Sequence, residues 1–135
     1  MPYIEGFDRN QAQMFPEYLD NYINEENPVR VIDAFVDSLD LHKYAFTKLN
    51  KGGPGAPSYN PKDLLKLYIY GYINGIRTSR KLERATYVNV EIMWLIRKLH
   101  PDFKTIADFR KENKTQFKQI FREFNLLCRD ADLFG

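Results

Sequence analysis

Between Arg77 and Arg122 the chain carries twelve Lys and Arg against five Asp and Glu, a net of +7 in a protein whose total is +2. The front of the chain has the opposite sign. Residues 1–57 hold five cations (Arg9, Arg30, Lys43, Lys48 and Lys51) against nine carboxylates, a net of −4. A block of one sign points to a polyanionic partner, although solvated helix faces alone give the same count. Its side chains fall into two groups. Arg77, Arg80, Lys81 and Arg84 suit the grip of phosphate oxygens. Lys104, Thr105, Asp108, Arg110, Lys111 and Lys114 mix donors and acceptors able to bond base edges as well as phosphates.

Catalytic chemistry finds little material. His42 and His100 lie far apart with no Cys or His at ligand spacing, so neither zinc nor any other metal is implied. Asp130 and Asp132 fall near the chain's end, where no rigid frame fixes two ions at about 4 Å separation. The segment 51–57, KGGPGAP, lacks the Lys-Ser/Thr ending and the preceding strand of a phosphate-cradling loop. It reads as a connector whose Lys48 and Lys51 are, at most, weak phosphate contacts. No Ser-His-Asp set or dinucleotide fingerprint appears, and no cofactor is implied. The single cysteine, Cys128, excludes an internal disulfide and fits a reducing cytoplasm as a small core residue. Residues 1–10 carry Glu5, Asp8 and Arg9 where a signal peptide needs an apolar run, and no stretch is apolar enough to span a membrane.

With 135 residues, 44% of them hydrophobic, the chain fits one globular domain able to bury a core. Every strong periodic signal is helical, which predicts an all-α fold of about five to seven helices. Residues 1–27 read as an irregular arm with a short helix near Pro16–Ile23. Residues 28–57 hold a first helix and the Gly/Pro connector, and 58–130 form the helical body. Asn27-Pro28 and Asn60-Pro61 both carry the N-cap and first-turn proline signature. The first opens a helix to about Leu39 with Asp33 and Asp37 on its wet side; a further turn follows at 41–49. The second opens a helix apolar on nearly every face, Leu64 to Ile76, which must be buried centrally. Gly75 stops it, and Thr78 or Ser79 caps the next helix to about Thr86. Asn89 caps a helix over 90–99 with Trp94 at an edge, Thr105 caps one to Glu112, and a last helix runs from Lys114 to Asp130.

Two pairs of these helices have the form of a helix-turn-helix. One joins 79–86 to 90–99 through the turn Tyr87–Asn89, but its second helix is apolar for a reader of base edges. The other joins 90–99 to 105–113, whose Lys104, Thr105, Asp108, Arg110, Lys111 and Asn113 are better suited to a groove. The second pair is favoured, with Arg77–Arg84 on the backbone.

The segment from Tyr59-Asn-Pro61 through Leu64-Leu65-Lys66-Leu67 to Tyr70-Gly-Tyr-Ile-Asn-Gly-Ile-Arg77 and Thr78-Ser-Arg-Lys-Leu-Glu-Arg84 closely resembles the N-terminal domain of bacterial insertion-sequence transposases of the InsH-like, DDE type. Pro101-Asp102-Phe103-Lys104-Thr105-Ile106-Ala107-Asp108-Phe109-Arg110 continues the match, as do Phe7–Gln11 and Asn27–Leu41 upstream. The resemblance implies a helical domain that recognises the double-stranded terminal inverted repeats of a mobile element. A homodimer, or a mixed dimer with full-length transposase, is a further implied association. In such proteins an Asp-Asp-Glu site in a downstream RNase H-like domain performs the chemistry, and none of those residues maps onto this chain. The expectation is therefore a DNA-binding, non-catalytic unit, with a truncated, protein-interacting regulator as the alternative.

Overall fold

The computed structural model describes residues 3–10, 18–44, 46 and 58–131. The connector with Lys48 and Lys51, the arm residues 11–17, and Asp132 lie outside them. Among the described residues there are six α-helices: α1 (Val29–Asp37), α2 (Pro61–Asn74), α3 (Ser79–Val88), α4 (Val90–Leu95), α5 (Phe103–Glu112) and α6 (Lys114–Asp130). Single 3₁₀ turns at Leu19–Tyr22 and Leu41–Tyr44 stand where short helical segments are predicted. The expectation of no strand needs one correction. Tyr3–Ile4 (β1) and Ser58–Tyr59 (β2) pair in parallel, two residues each, and hold the arm against the entry to α2. The all-α class stands.

The cap signals act as their chemistry demands. The Asn60 side chain accepts from the Lys62 amide at 2.9 Å with Pro61 in the first turn. Asn27 does the same for Val29 at 2.8 Å. Each satisfies an orphan donor worth about 1 kcal/mol. From Asp63 to Gly71 every residue of α2 is buried, with α1, α3 and α4 packed around it. Full burial of each Leu or Ile there contributes about 1.5–3 kcal/mol. Tyr68 and Tyr70 belong to this core and donate their hydroxyls to the Ile106 carbonyl and the Glu91 carboxylate.

All-round burial also draws ions inward. Lys66, on α2, is 4% exposed, and its ammonium bonds Asp33 at 2.7 Å and Asp37 at 2.9 Å. Asp33 also receives Arg9 at 2.9 Å, so it is a half-buried junction between the arm, α1 and α2 and not a wet-face residue. Asp37 is exposed as expected. Burial pushes the Asp63 carboxyl above the ordinary range, partly offset by Arg97 and Lys66.

Three further expectations change. The helix over 90–99 ends at Leu95, because Arg97 and Lys98 turn left-handed at φ 56° and 60°. The turned-out Arg97 carbonyl accepts from the Phe7 amide at 2.9 Å, so arm docking favours the break. Trp94 is 2% exposed and not at an edge. Its indole donates to Asp20 at 2.8 Å, and Arg9 and Arg30 stack over the ring at 4.4 and 4.9 Å. The indole bond and then the two arginines hold the Asp20 carboxyl below its usual range. Finally, Asp102 and not Thr105 caps α5, accepting from the Thr105 amide at 2.7 Å.

Asp33→Ala is expected to cost about 3 kcal/mol by leaving Lys66 under-paired in the interior, while Lys66→Met costs markedly less; urea midpoints of the two variants measure the difference. Alkali supplies a second test. Burial, reinforced for Tyr70 by the Glu91 bond, raises the Tyr68 and Tyr70 hydroxyls to about 12 from an unfolded value of 10.0. A raised folded value means the contribution is whole below pH 10.0 and is lost as pH rises toward about 12. Stability should fall across that window, and less steeply in Tyr68→Phe.

Candidate nucleic-acid interface

The turn between α2 and α3 sets the position of the first cations. Gly75 sits at φ +75°, a left-handed conformation that glycine adopts without a Cβ penalty, and the Ile76 amide reaches back to the Gly71 carbonyl at 2.9 Å. Gly71 lets the next helix come close: a Cβ there would lie 2.8 Å from both the Ile76 carbonyl oxygen and Leu82 Cδ2. Arg77 is exposed on this turn. Thr78 caps α3, accepting from the Lys81 amide at 3.1 Å. Leu82, Ala85 and Thr86 face the core, which leaves Arg80, Lys81 and Arg84 exposed on the outer side.

α5 packs against α3. The Phe103 amide donates to Glu83 at 2.8 Å, and the Arg80 guanidinium lies over the Phe103 ring at 3.9 Å. The second cation group therefore meets the first through the α3–α5 contact, and α5's main partner is α3 and not α4. α3 itself runs on to Val88, so Asn89 alone separates it from α4. α5 buries Ile106 and Phe109 and exposes Lys104, Arg110 and Lys111; Thr105 and Asp108 are half-buried. Asn113 is fully buried, its amide bonded to the Phe109 carbonyl at 2.8 Å, so it cannot reach a base. α6 follows at once, with Lys114 and Lys118 exposed and Phe117, Ile120 and Phe124 inward.

Arg77, Arg110 and Lys114 converge on one open groove of about 350 Å³, and Lys118 joins them. Its walls are Tyr68, Tyr72, Ile76, Leu82, Phe117 and Phe121, with no carboxylate among the lining residues. Among the described residues none of the four cations is held in an ion pair. Tyr72 is 50% exposed, and its ring stands 5.2 Å from Phe121. Arg80 and Lys104 lie away from the groove, toward the start of α5, where Arg80 meets Phe103. Of the lining residues, the sequence names only Arg77, Arg110 and Lys114 as nucleic-acid contacts; Lys118 reads as part of a solvated helix face, and Tyr72 reads as packing in preference to a stacking platform. The i, i+4 spacing of Lys114 with Lys118, and of Phe117 with Phe121, signals the α6 side of the groove, and it resembles an ordinary amphipathic helix.

His100 stacks on Tyr87 at 4.0 Å and bonds Thr86 at 3.1 Å, and no group of three or more His, Cys, Asp or Glu comes together among the described residues. No helix among those residues is long and apolar enough to cross a membrane. Cys128 is buried, which raises its thiol.

A family model described as Transposase domain (DUF772) matches residues 17–112, which include α1 to α5. No curated protein and no solved structure matches the chain.

Gly71→Ala is expected to push α3 away from α2 and destabilise the domain by about 1–3 kcal/mol, since one of the two close atoms is backbone and cannot yield cheaply. Gly75→Ala, in open space, tests backbone strain alone and should cost about 1 kcal/mol. Thermal melting of the two variants separates the effects.

Proposed function

Because the chain belongs to the transposase domain family, we propose that it serves transposition as a DNA-binding unit that recognises the double-stranded terminal inverted repeats of an insertion sequence of the InsH-like, DDE type. The observation that carries this reading is the exposed basic surface of the α2–α3 turn, α3, α5 and the start of α6, with α3 packed on α5. It presents Arg77, Arg80, Lys81, Arg84, Lys104, Arg110, Lys111 and Lys114 to solvent. Arg77, Arg80, Lys81 and Arg84 hold phosphates and fix the register of the duplex. The α5 face, with Lys104, Thr105, Asp108, Arg110, Lys111 and then Lys114, enters the major groove in the manner of a helix-turn-helix, and Arg110 reads a base edge. The unit works in the cytoplasm, uses no cofactor and contributes no catalytic residue; strand cleavage and joining belong to a separate Asp-Asp-Glu domain.

A second reading has its own support. Tyr87, Val88 and Val90, at 56, 66 and 41% exposure, form an apolar ridge at the α3–α4 junction. Such a ridge suits pairing with a second copy or with a full-length transposase, and a chain acting through it alone would be a regulator.

Binding to a terminal-repeat duplex should weaken steeply between 50 and 200 mM salt, by about a hundredfold or more if several phosphates are neutralised. Arg110→Ala should relax the preference for the repeat over random duplex by about 1–3 kcal/mol, while Arg84→Ala weakens both equally and flattens the salt slope by about one unit. Fluorescence anisotropy against both duplexes reads all three. Absence of duplex binding at about 50 mM salt would overturn the proposal.

A further inference from the structure

The groove between α2, α5 and α6 is concave, and duplex DNA cannot enter it. A duplex is some 20 Å across and receives protein elements into its own grooves. A groove of about 350 Å³ is at the small end of ligand sites and suits one nucleobase with its sugar. Its walls are of the kind that bind bases. Tyr72 is half exposed beside Phe121, and Phe121 continues to Phe117 at a centroid spacing of 5.7 Å, while Ile76 and Leu82 form aliphatic wall. The polar contribution is all of one sign: Arg77, Arg110, Lys114 and Lys118, with no lining carboxylate.

An aromatic floor with a cationic rim is the combination used for single-stranded nucleic acid, where a base stacks and its flanking phosphates are neutralised. We propose that this groove takes one unpaired nucleotide of DNA, its base against Tyr72 and Phe121 and its phosphate on Lys118, while Arg77, Arg110 and Lys114 at the rim stay on the adjoining duplex. The inference rests on the DNA-binding reading and deepens it. The partner is then DNA whose end or interior carries an unpaired base beside the duplex held by α3 and α5. Charge complementarity selects the occupant: a neutral or cationic peptide offers no counter-charge to the four cations that line the groove.

The full chain would be titrated against three fluorescent DNAs: a blunt duplex, the same duplex with a three-nucleotide single-stranded extension, and a thymidine octamer. The extended duplex should bind about tenfold more tightly than the blunt one, and Tyr72→Ala should abolish that difference. A 2-aminopurine in the extension should be quenched on binding to the native chain and not to Tyr72→Ala, a signal that charge attraction alone does not produce. Tyr72 is half exposed, so its replacement should lower the melting temperature only slightly and leave the domain folded; Phe121→Ala provides a second disruption of the same wall. Equal affinity for blunt and extended duplex, or an unquenched 2-aminopurine, would overturn the inference while leaving duplex recognition standing. Binding of the octamer with no binding of the blunt duplex would support the groove and defeat the duplex reading. Displacement of the extended duplex's advantage by an acidic, tyrosine-containing peptide, but not by the octamer, would assign the groove to a protein and overturn the proposal.

Discussion

Burial of α2 on every side is the constraint on which the domain depends. From Asp63 to Gly71 α2 has no wet face and needs neighbours all round, and α1, α3 and α4 supply them. The same geometry brings the ammonium of Lys66 inside, where an unpaired charge would cost several kcal/mol. Asp33 and Asp37 answer it from α1, and Arg9 ties the arm to the same carboxylate. One buried cation thus fixes the relative position of the arm, the first helix and the central helix. Trp94 repeats the device with Asp20, Arg9 and Arg30 around a buried indole.

The two halves of the charge distribution follow from this arrangement. Acidic residues of the front half are spent in part on internal pairing with Arg9, Arg30 and Lys66. The cations of α3, α5 and α6 have the opposite situation, because the apolar stripes of those helices already face the core. Their charged sides are left to solvent, so most of the basic excess after Arg77 lies on the outer surface. Close approach at Gly71 and the contact between Glu83 and the start of α5 accompany two local meetings: Arg77 shares a groove with Arg110, Lys114 and Lys118, and Arg80 lies over Phe103.

Local chemistry made much of the fold legible. Asn60, Thr78 and Asn89 cap the helices expected of them, Gly75 stops α2, and α6 spans Lys114–Asp130 as its phenylalanine spacing requires. The misreadings share a cause. The break after Leu95, the burial of Trp94 and the ionic role of Asp33 all involve Phe7, Arg9 or Asp20, residues of the arm far away in sequence. Periodicity reports which face of a helix is apolar, but not which distant segment will cover it. Thr105 differs: Asp102, three residues earlier, accepts the Thr105 amide and starts α5 at Phe103, so Thr105 already lies inside the first turn.

By itself the sequence determined helix content, most helix boundaries, the central place of α2 and the concentration of cations after Arg77, since each depends on residues within a turn or two of one another. Tertiary structure alone decided that Arg77, Arg110, Lys114 and Lys118 share one groove, that Tyr72 stands open beside Phe121, and that Asn113 is buried. Those outcomes depend on the angles at which α2, α5 and α6 meet. Such angles are set by the packing of side chains from several segments at once, and no local pattern encodes them.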